Sequence, residues 1–409
     1  MERLISAFGV AVIMGIAFLF CPSALRKKVN WRTVGLGLLL LIGFAILVIR
    51  TPVKYAFKFA NDGVDKLLSF SGEGAKFVFN ALGFNAPPVG FIFATQILPT
   101  IIFFASFMAV LYHLGVMPFI IRNMARFIAK SLGVSGAESF STVSDIFVGQ
   151  TEAPLVIRPY IAGLTQSELN ACMIAGFATT AGGVLAAYVL MLRDFIPDIA
   201  GHLIACSVMC APASLVIAKL MLPESEAPQT LGATKIDIPR VDANIVDAAA
   251  RGTTDGLRLA VNVAAMLISF VALTAMINFV LNKLGTSLEQ IFGFIFWPLS
   301  WVMGVPAEDV SKIATLLGKK IVLTELIAYQ DMSEMLKQTN GAWLTERGRL
   351  IASYALCGFA NFASIGIQIG GYSGLSPERR GDLSRLGFRA MIGGTLATCM
   401  VAAVAGVLL

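Results

Sequence analysis

Apolar residues in this chain come in runs longer than the core-facing stripe of a soluble helix. Stretches at 4–21, 33–48, 90–121, 169–192, 203–219, 259–282, 350–371 and 386–408 carry few or no charges. A helix needs about 20 mostly apolar residues to cross roughly 30 Å of hydrocarbon, so the pattern predicts eight transmembrane helices. Two segments break the rhythm. Residues 121–160 scatter Arg122, Arg126, Lys130, Glu138, Asp145, Glu152 and Arg158 among apolar positions, and 286–329 do the same with Glu289, Glu308, Asp309, Lys312, Lys319, Lys320 and Glu325. Each is long enough to enter the membrane, reverse and leave on the same side, as a re-entrant hairpin. Irregular backbone at that depth survives only where it is packed in protein or lines a watery cavity, which makes both tips candidate sites. Residues 51–88 interleave Lys54, Lys58, Asp62, Asp65, Lys66, Glu73 and Lys76 with Tyr55, Phe57, Phe59, Leu67, Leu68, Phe70, Phe77 and Phe79. That mixture suits a helix lying in the membrane interface.

Composition agrees. Of 409 residues 57% are hydrophobic and 14% charged, with a mean hydropathy of +0.79, well beyond the roughly 45–50% apolar content of soluble domains. The net charge of +6 does not indicate nucleic acid, because the basic residues are spread over short loops and form no stripe with interleaved aromatics. They report topology instead. Arg26, Lys27, Lys28 and Arg32 follow the first span, and Arg379, Arg380, Arg385 and Arg389 precede the last; the positive-inside rule makes both loops cytoplasmic and both termini periplasmic. The first apolar run precedes its positive cluster, the reverse of a secretory signal, and is kept as a span. The polar stretch 223–255 reads as a cytoplasmic linker between two halves. Cys21, Cys172, Cys206, Cys210, Cys357 and Cys399 sit in or beside apolar runs without zinc-ligand spacing, as small buried hydrophobes. His113 and His202 each stand alone. No metal-ligand cluster, nucleophile elbow or phosphate-cradling loop supports an enzyme.

The two halves echo one another. Val148-Gly149-Gln150-Thr151-Glu152 in the first hairpin resembles Val322-Leu323-Thr324-Glu325 in the second, and Gly176-Phe177-Ala178-Thr179 in the following span resembles Gly358-Phe359-Ala360-Asn361. Positive-inside counting puts the hairpins on opposite sides, so the repeats are inverted. That is the architecture of secondary transporters, with substrate and coupling ion between the hairpin tips. Glu152 and Glu325 are carboxylates in apolar segments, which require a polar partner. They can accept from the hydroxyls or amines of a solute, or pair with a base such as Arg158. Gln150, Asn361 and Ser364 offer donors and acceptors that match a heterocycle or a sugar, or act as interhelical glue. Phe359 adds a flat apolar face beside Asn361. Gly182-Gly183 would let its span unwind and free carbonyls for a hard cation beside Thr179, or serve close helix packing. Asp145 near the first tip is an ion ligand or a helix cap.

These residues resemble the concentrative nucleoside transporter family, in its bacterial form. Gly149-Gln150-Thr151-Glu152-Ala153-Pro154-Leu155 is similar to its first-hairpin signature, Thr324-Glu325-Leu326-Ile327-Ala328-Tyr329 to its second, and Gly358-Phe359-Ala360-Asn361-Phe362-Ala363-Ser364-Ile365-Gly366 to that of its seventh span. The resemblance implies an all-α polytopic inner-membrane protein with eight transmembrane helices, two re-entrant hairpins and an interfacial helix, assembled as a homotrimer. It implies a scaffold over 1–118, with the interfacial helix at 51–88, and the sixth span at 256–284. A mobile transport domain would be built from 119–222 and 285–409, with the linker at 223–255 between the halves. It implies a nucleoside substrate such as uridine, with Gln150, Thr151 and Glu152 on the base, Glu325, Asn361 and Ser364 on the ribose, and Phe359 and Val184 packing around it. A sodium ion, or a proton in its place, would couple at Asp145, Val148, Thr179 and Thr180. Two positions depart from the family pattern: Asp145 and Thr324 stand where asparagine is expected. The alternatives are a proton-coupled nucleoside carrier, or a carrier of another small polar solute such as a nucleobase.

Overall fold

The computed structural model describes residues 1–50, 54–83, 92–232 and 242–409. Among the described residues every regular element is a helix. Helices satisfy their own backbone groups, which a medium without water demands of apolar segments. The chain opens with α1 (Glu2–Leu19) and α2 (Trp31–Arg50), joined through the short basic turn Ser23–Lys28. The expected interfacial helix is α3 (Lys54–Phe79); residues 51–53 and 84–88 of that expectation lie outside the described ones. Its buried Leu68, Ser71 and Ala75 share one face, and the Ser71 hydroxyl lies 3.3 Å from that of Thr100 on α4 (Leu98–His113).

The run at 90–121 is not one span. The chain turns at Gly115, with φ +81°, a left-handed conformation in which glycine is relaxed. It then forms α5 (Val116–Leu132), whose buried Met117, Ile121, Ala125, Ile128 and Leu132 make a single stripe. This amphipathic helix takes its first turn from the run expected as the third span and the rest from the segment 121–160 expected as the first hairpin. The helix-turn-helix proper starts with α6 (Gly136–Asp145) and returns through the short turns Ala153–Val156 and Arg158–Gly163. Then come α7 (Gln166–Ala178), α8 (Gly182–Leu192) and α9 (Ile199–Met221).

The second half repeats the order. The 37-residue α10 (Ile245–Leu281) takes in part of the expected linker. It is followed by α11 (Leu288–Val302), then by α12 (Val310–Val322) and α13 (Glu325–Gln338), the second helix-turn-helix. The chain ends in α14 (Glu346–Leu356), α15 (Phe362–Leu375) and α16 (Arg380–Leu408). The apolar run at 350–371 is therefore two shorter helices separated by Cys357–Asn361. Seven helical stretches among the described residues are long and apolar enough to cross a membrane, and the expected seventh span is not one of them because of that break.

Burial divides the helices into two groups. The apolar window of α9 is 89% buried and that of α10 only 6%; α1, α2 and α4 resemble α10, while α7, α8 and α16 resemble α9. Packing between α4 and α10 uses small residues. A Cβ added at Gly252 would lie 2.6 Å from the Ala109 Cβ, and one at Gly256 would lie 2.8 Å from that of Ala105, so the two backbones approach as closely as small-xxx-small pairs permit.

Each helix-turn-helix is tied at its base to the broken helix that follows it. Ser135 and Thr165 cap α6 and α7 in reciprocal boxes with Glu138 and Glu168. Lys219 of α9 joins them, with Nζ 2.7 Å from the Glu138 carboxylate and 3.0 Å from the Ser167 hydroxyl. In the second unit Thr345 caps α14 and donates to Asp309 at 2.7 Å. The bases are thus held by caps, hydrogen bonds and an ion pair, and the tips are positioned by the breaks. All six cysteines are buried and free.

Candidate substrate and cation site

The first tip is built by Gly149, whose φ of +86° turns the chain after α6. The Gly182 N–H donates to the Phe147 carbonyl at 3.2 Å, and a Cβ on Gly149 would meet the Ala181 Cβ at 2.8 Å. The tip is thus fastened directly to the α7–α8 break. That break falls at Thr179–Ala181, just before the glycines expected to cause it. Gly182 instead opens α8, and Gly183 faces the Ile101 carbonyl and Phe104 of α4, where an added Cβ would sit at an ordinary contact distance of 3.4–3.5 Å.

The second tip is tighter. Thr324 caps α13, its hydroxyl accepting from the Ile327 N–H at 3.4 Å, so Glu325 occupies the first turn of that helix, where negative charge is favoured. The α14–α15 break is shaped by Gly358 at φ +101° and by Asn361, which caps α15 by accepting from the Ser364 N–H at 2.9 Å. The two breaks cross. Gly358 N–H donates to the Thr180 hydroxyl at 2.8 Å, and an added Cβ at Gly358 would lie 2.5 Å from the Ala178 carbonyl oxygen. Only glycine fits there.

Around the crossing runs one continuous hydrogen-bonded chain. Tyr188 OH donates to Glu325 Oε1 at 3.0 Å, and Asn361 Nδ2 donates to Glu325 Oε2 at 2.9 Å. Asn361 leads to Ser364 through the cap, and the Ser364 hydroxyl accepts from Gln150 Nε2 at 3.1 Å. Gln150 Oε1 in turn accepts from Gln368 Nε2 at 3.0 Å. The chain therefore joins the first tip, the second tip and both broken helices. Gln150, Glu325, Asn361 and Ser364 are all buried in it. Phe359 is half-buried beside Asn361, and Val184 is buried in the first turn of α8.

Thr151 and Glu152 lie elsewhere. Both are exposed and line a cavity of about 430 Å³ between the first tip and the helices α4 and α10, within the size range of small-molecule sites. Its opposite wall carries Arg251 and Asp255, paired at 3.2 Å, with Arg251 also 2.6 Å from Asp242. Among the described residues Glu152 forms no ion pair with Arg158, so that alternative is set aside.

Asp145 closes α6, at the wrong end for an N-cap. It is buried, its Oδ2 has no hydrogen-bond partner, and it faces the last turn of α7, where a Cβ on Gly176 would lie 3.5 Å from Oδ1. Val148 sits on the tip between Phe147, bonded to Gly182, and Gly149, packed on Ala181. The hydroxyl of Thr179 is turned back onto the Ala175 carbonyl at 2.9 Å, while that of Thr180 accepts from Gly358. The oxygen-rich donors suit a hard cation, and the unpartnered carboxylate oxygen is the feature that fits one best.

Sequence reasoning missed Tyr188, Gln368 and Lys320. Tyr188 and Gln368 are lone polar groups in apolar runs, a signal in itself. Lys320 was one charge among several, and nothing in its spacing marked it as fully buried.

Three family models match the chain: the N-terminus of Na+ dependent nucleoside transporters over 8–82, a nucleoside-recognition gate over 94–195, and the C-terminus of the same transporters over 202–406. An uncharacterized transporter of Haemophilus influenzae is 42% identical, with 99% of this chain and 98% of that one aligned. Sodium/nucleoside cotransporter 1 of Rattus norvegicus is 39% identical over the whole of this chain, which spans 64% of the rat protein. Among solved structures, CNTnw in an inward-facing substrate-bound state is 40% identical, with a TM-score of 0.92, covering 100% of this chain and 98% of that one. A CNTnw variant in an outward-facing state scores the same 0.92, so the likeness identifies the fold without selecting a conformation. This polytopic membrane protein is a transporter and not an enzyme, and it belongs to the Na+ dependent nucleoside transporter family.

Proposed function

We propose that this chain imports nucleosides across the bacterial inner membrane by symport with sodium. The observation that carries the reading is the hydrogen-bonded chain from Tyr188 through Glu325, Asn361 and Ser364 to Gln150. It joins carboxylate, amide and hydroxyl groups from both halves, the mixture that a nucleoside's sugar and base require. In this reading Glu325, Asn361 and Ser364 take the ribose and Gln150 takes the base, which Thr151 and Glu152 reach from the wall of the neighbouring cavity. Val184 and Phe359 supply apolar walls.

A nucleoside entering the site replaces internal hydrogen bonds with its own. Gln150 exchanges the Ser364 hydroxyl for the base, and Glu325, already held on both oxygens, accepts sugar hydroxyls on its remaining lone pairs. Sodium is cargo as well as partner. Asp145, Val148, Thr179 and Thr180 hold it, and its charge offsets the buried Asp145 carboxylate, so that the tip is seated on the α7–α8 break when the nucleoside binds. Substrate and ion then favour the same closed arrangement, which is what couples them.

The weakly buried α1, α2, α4 and α10, with the interfacial α3, form a scaffold over 1–118 and 256–284. A transport domain over 119–222 and 285–409, which holds the strongly buried α7, α8, α9 and α16, moves against it as an elevator, with re-entrant hairpins as inverted repeats and both termini periplasmic. The apolar outer face of α10 is covered by lipid and by two further copies in a homotrimer. A proton-coupled carrier is the second reading, favoured by the unpartnered Oδ2 of Asp145. Uptake of radiolabelled uridine by proteoliposomes, under separate sodium and proton gradients, decides. Uptake driven by sodium alone supports the first reading, uptake driven by protons alone the second, and failure under both gradients sinks the nucleoside assignment. Competition by uracil as strong as that by uridine would point to a nucleobase carrier.

A further inference from the structure

Lys320 of α12 is fully buried. Its Nζ lies 3.0 Å from the Ala355 carbonyl, 3.2 Å from that of Cys357 and 3.3 Å from the Thr398 hydroxyl. That hydroxyl donates to the Thr395 carbonyl, so its oxygen accepts from Lys320. Three acceptors around one nitrogen match the three N–H groups of an ammonium; a neutral amine would leave one of them facing a lone pair. Two of the acceptors belong to the end of α14, where unpaired carbonyls and the helix dipole concentrate negative charge.

The first unit presents the opposite charge at the corresponding place. Asp145, at the end of the first arm, faces the last turn of the first half of a broken helix with one oxygen unpartnered. Lys320, near the end of the first arm of the second unit, faces the last turn of α14 with every N–H used. The two breaks meet directly, through Gly358 N–H on the Thr180 hydroxyl, and Cys357, which Lys320 holds, is the residue before Gly358.

We propose that Lys320 is a tethered counterpart of the coupling cation. Its ammonium does permanently in the second unit what an ion from solution does in the first: it neutralises the end of the first half-helix and holds the break in the shape that aims Asn361 and Glu325. The inference rests on the reading of Asp145 as a cation ligand given above. Lys320 touches no ligand and is a positioning residue. One half of the transporter is charged by its own chain, and only the other is loaded from solution in each cycle.

The test is equilibrium binding of uridine to the detergent-solubilised full chain, titrated with sodium, for the parent, Lys320→Met and Lys320→Ala. The parent is expected to show a sodium Hill slope near one. Both variants are expected to be monodisperse and to bind uridine at least about tenfold more weakly, since buried carbonyls lose their charged donor. Propylammonium chloride should restore Lys320→Ala, which leaves room for it, and not Lys320→Met, which fills the space; tetraethylammonium chloride at equal ionic strength should restore neither. A purely structural lysine would not give that pattern. Parental affinity in Lys320→Met, a monodisperse Lys320→Ala that propylammonium does not restore, or a parental slope of two overturns the proposal. Should neither variant be monodisperse, the parental slope decides, one supporting the proposal and two refuting it. Uridine binding that ignores sodium would remove the sodium reading, while the propylammonium arms would still test Lys320.

Discussion

Replacing Glu325 with glutamine probes the ribose assignment with little disturbance to the fold. The carboxylate accepts from Tyr188 OH at 3.0 Å and Asn361 Nδ2 at 2.9 Å. Glutamine has nearly the same shape. Its carbonyl oxygen keeps the bond from Asn361, and its amide donates to the Tyr188 hydroxyl, which accepts as well as donates. The buried network stays satisfied, so the fold should lose less than about 1 kcal/mol. What disappears is the charge. A hydrogen bond to an ionised group contributes about 1.5–3 kcal/mol and a neutral one about 0.5–1.5 kcal/mol. Two sugar hydroxyls on this carboxylate therefore lose about 2–3 kcal/mol together, or roughly 30- to 150-fold in affinity at about 1.4 kcal/mol per factor of ten. Calorimetric titration with uridine, 2′-deoxyuridine and 3′-deoxyuridine at saturating sodium measures this, with thermal unfolding as the control. The parent should discriminate against the deoxy compounds and Glu325→Gln should discriminate far less. An unfolded variant is ruled out by the unfolding curve. Uridine affinity within about twofold of the parent in a stable Glu325→Gln would refute the reasoning.

Other perturbations test other links. Gly149→Ala forces a side chain into a left-handed conformation with its Cβ 2.8 Å from that of Ala181, so the first tip should lift from the break and initial uptake rates should collapse while unfolding temperature falls only slightly; normal rates would count against the tip assignment. Gly256→Leu, whose Cβ would sit 2.8 Å from Ala105 and Ile102, should cost about 1–3 kcal/mol by overpacking α4 against α10, seen as a lower unfolding temperature. Asp145→Asn removes the charge facing the cation, so half-saturating sodium should rise about tenfold for the loss of one charge-assisted contact. A sodium titration unchanged in that variant would take Asp145 out of the ion site.

The membrane class was legible because hydrocarbon imposes a length and a polarity on every crossing segment, and those are properties of local sequence. The polar signatures were legible for a related reason: Glu325 or Asn361 in an apolar run is costly unless it has a partner, so its presence announces a function before any partner is known. Boundaries were less legible. Residues 121–132 carry enough charge to look like a hairpin arm and 116–121 look like the end of a span, yet together they form an amphipathic helix of their own between two left-handed glycines. The break assigned to Gly182-Gly183 falls at Thr179–Ala181, where the neighbouring break crosses it at Gly358, a contact that no local propensity encodes.

From the sequence alone follow an all-helical membrane fold, two halves built in the same order, and the polar residues of Gln150-Thr151-Glu152, Thr324-Glu325 and Asn361. Only the tertiary structure decides which of them meet. It puts Gln150 into a buried chain with Ser364 and Gln368 and leaves Thr151 and Glu152 on a cavity wall opposite Arg251 and Asp255. It supplies Tyr188 as the partner of Glu325 and Lys320 as the cation at the end of α14. The physical reason is range: burial preference and turn geometry act over a few residues, whereas these partnerships join positions from 35 to 218 apart and exist only once two broken helices cross.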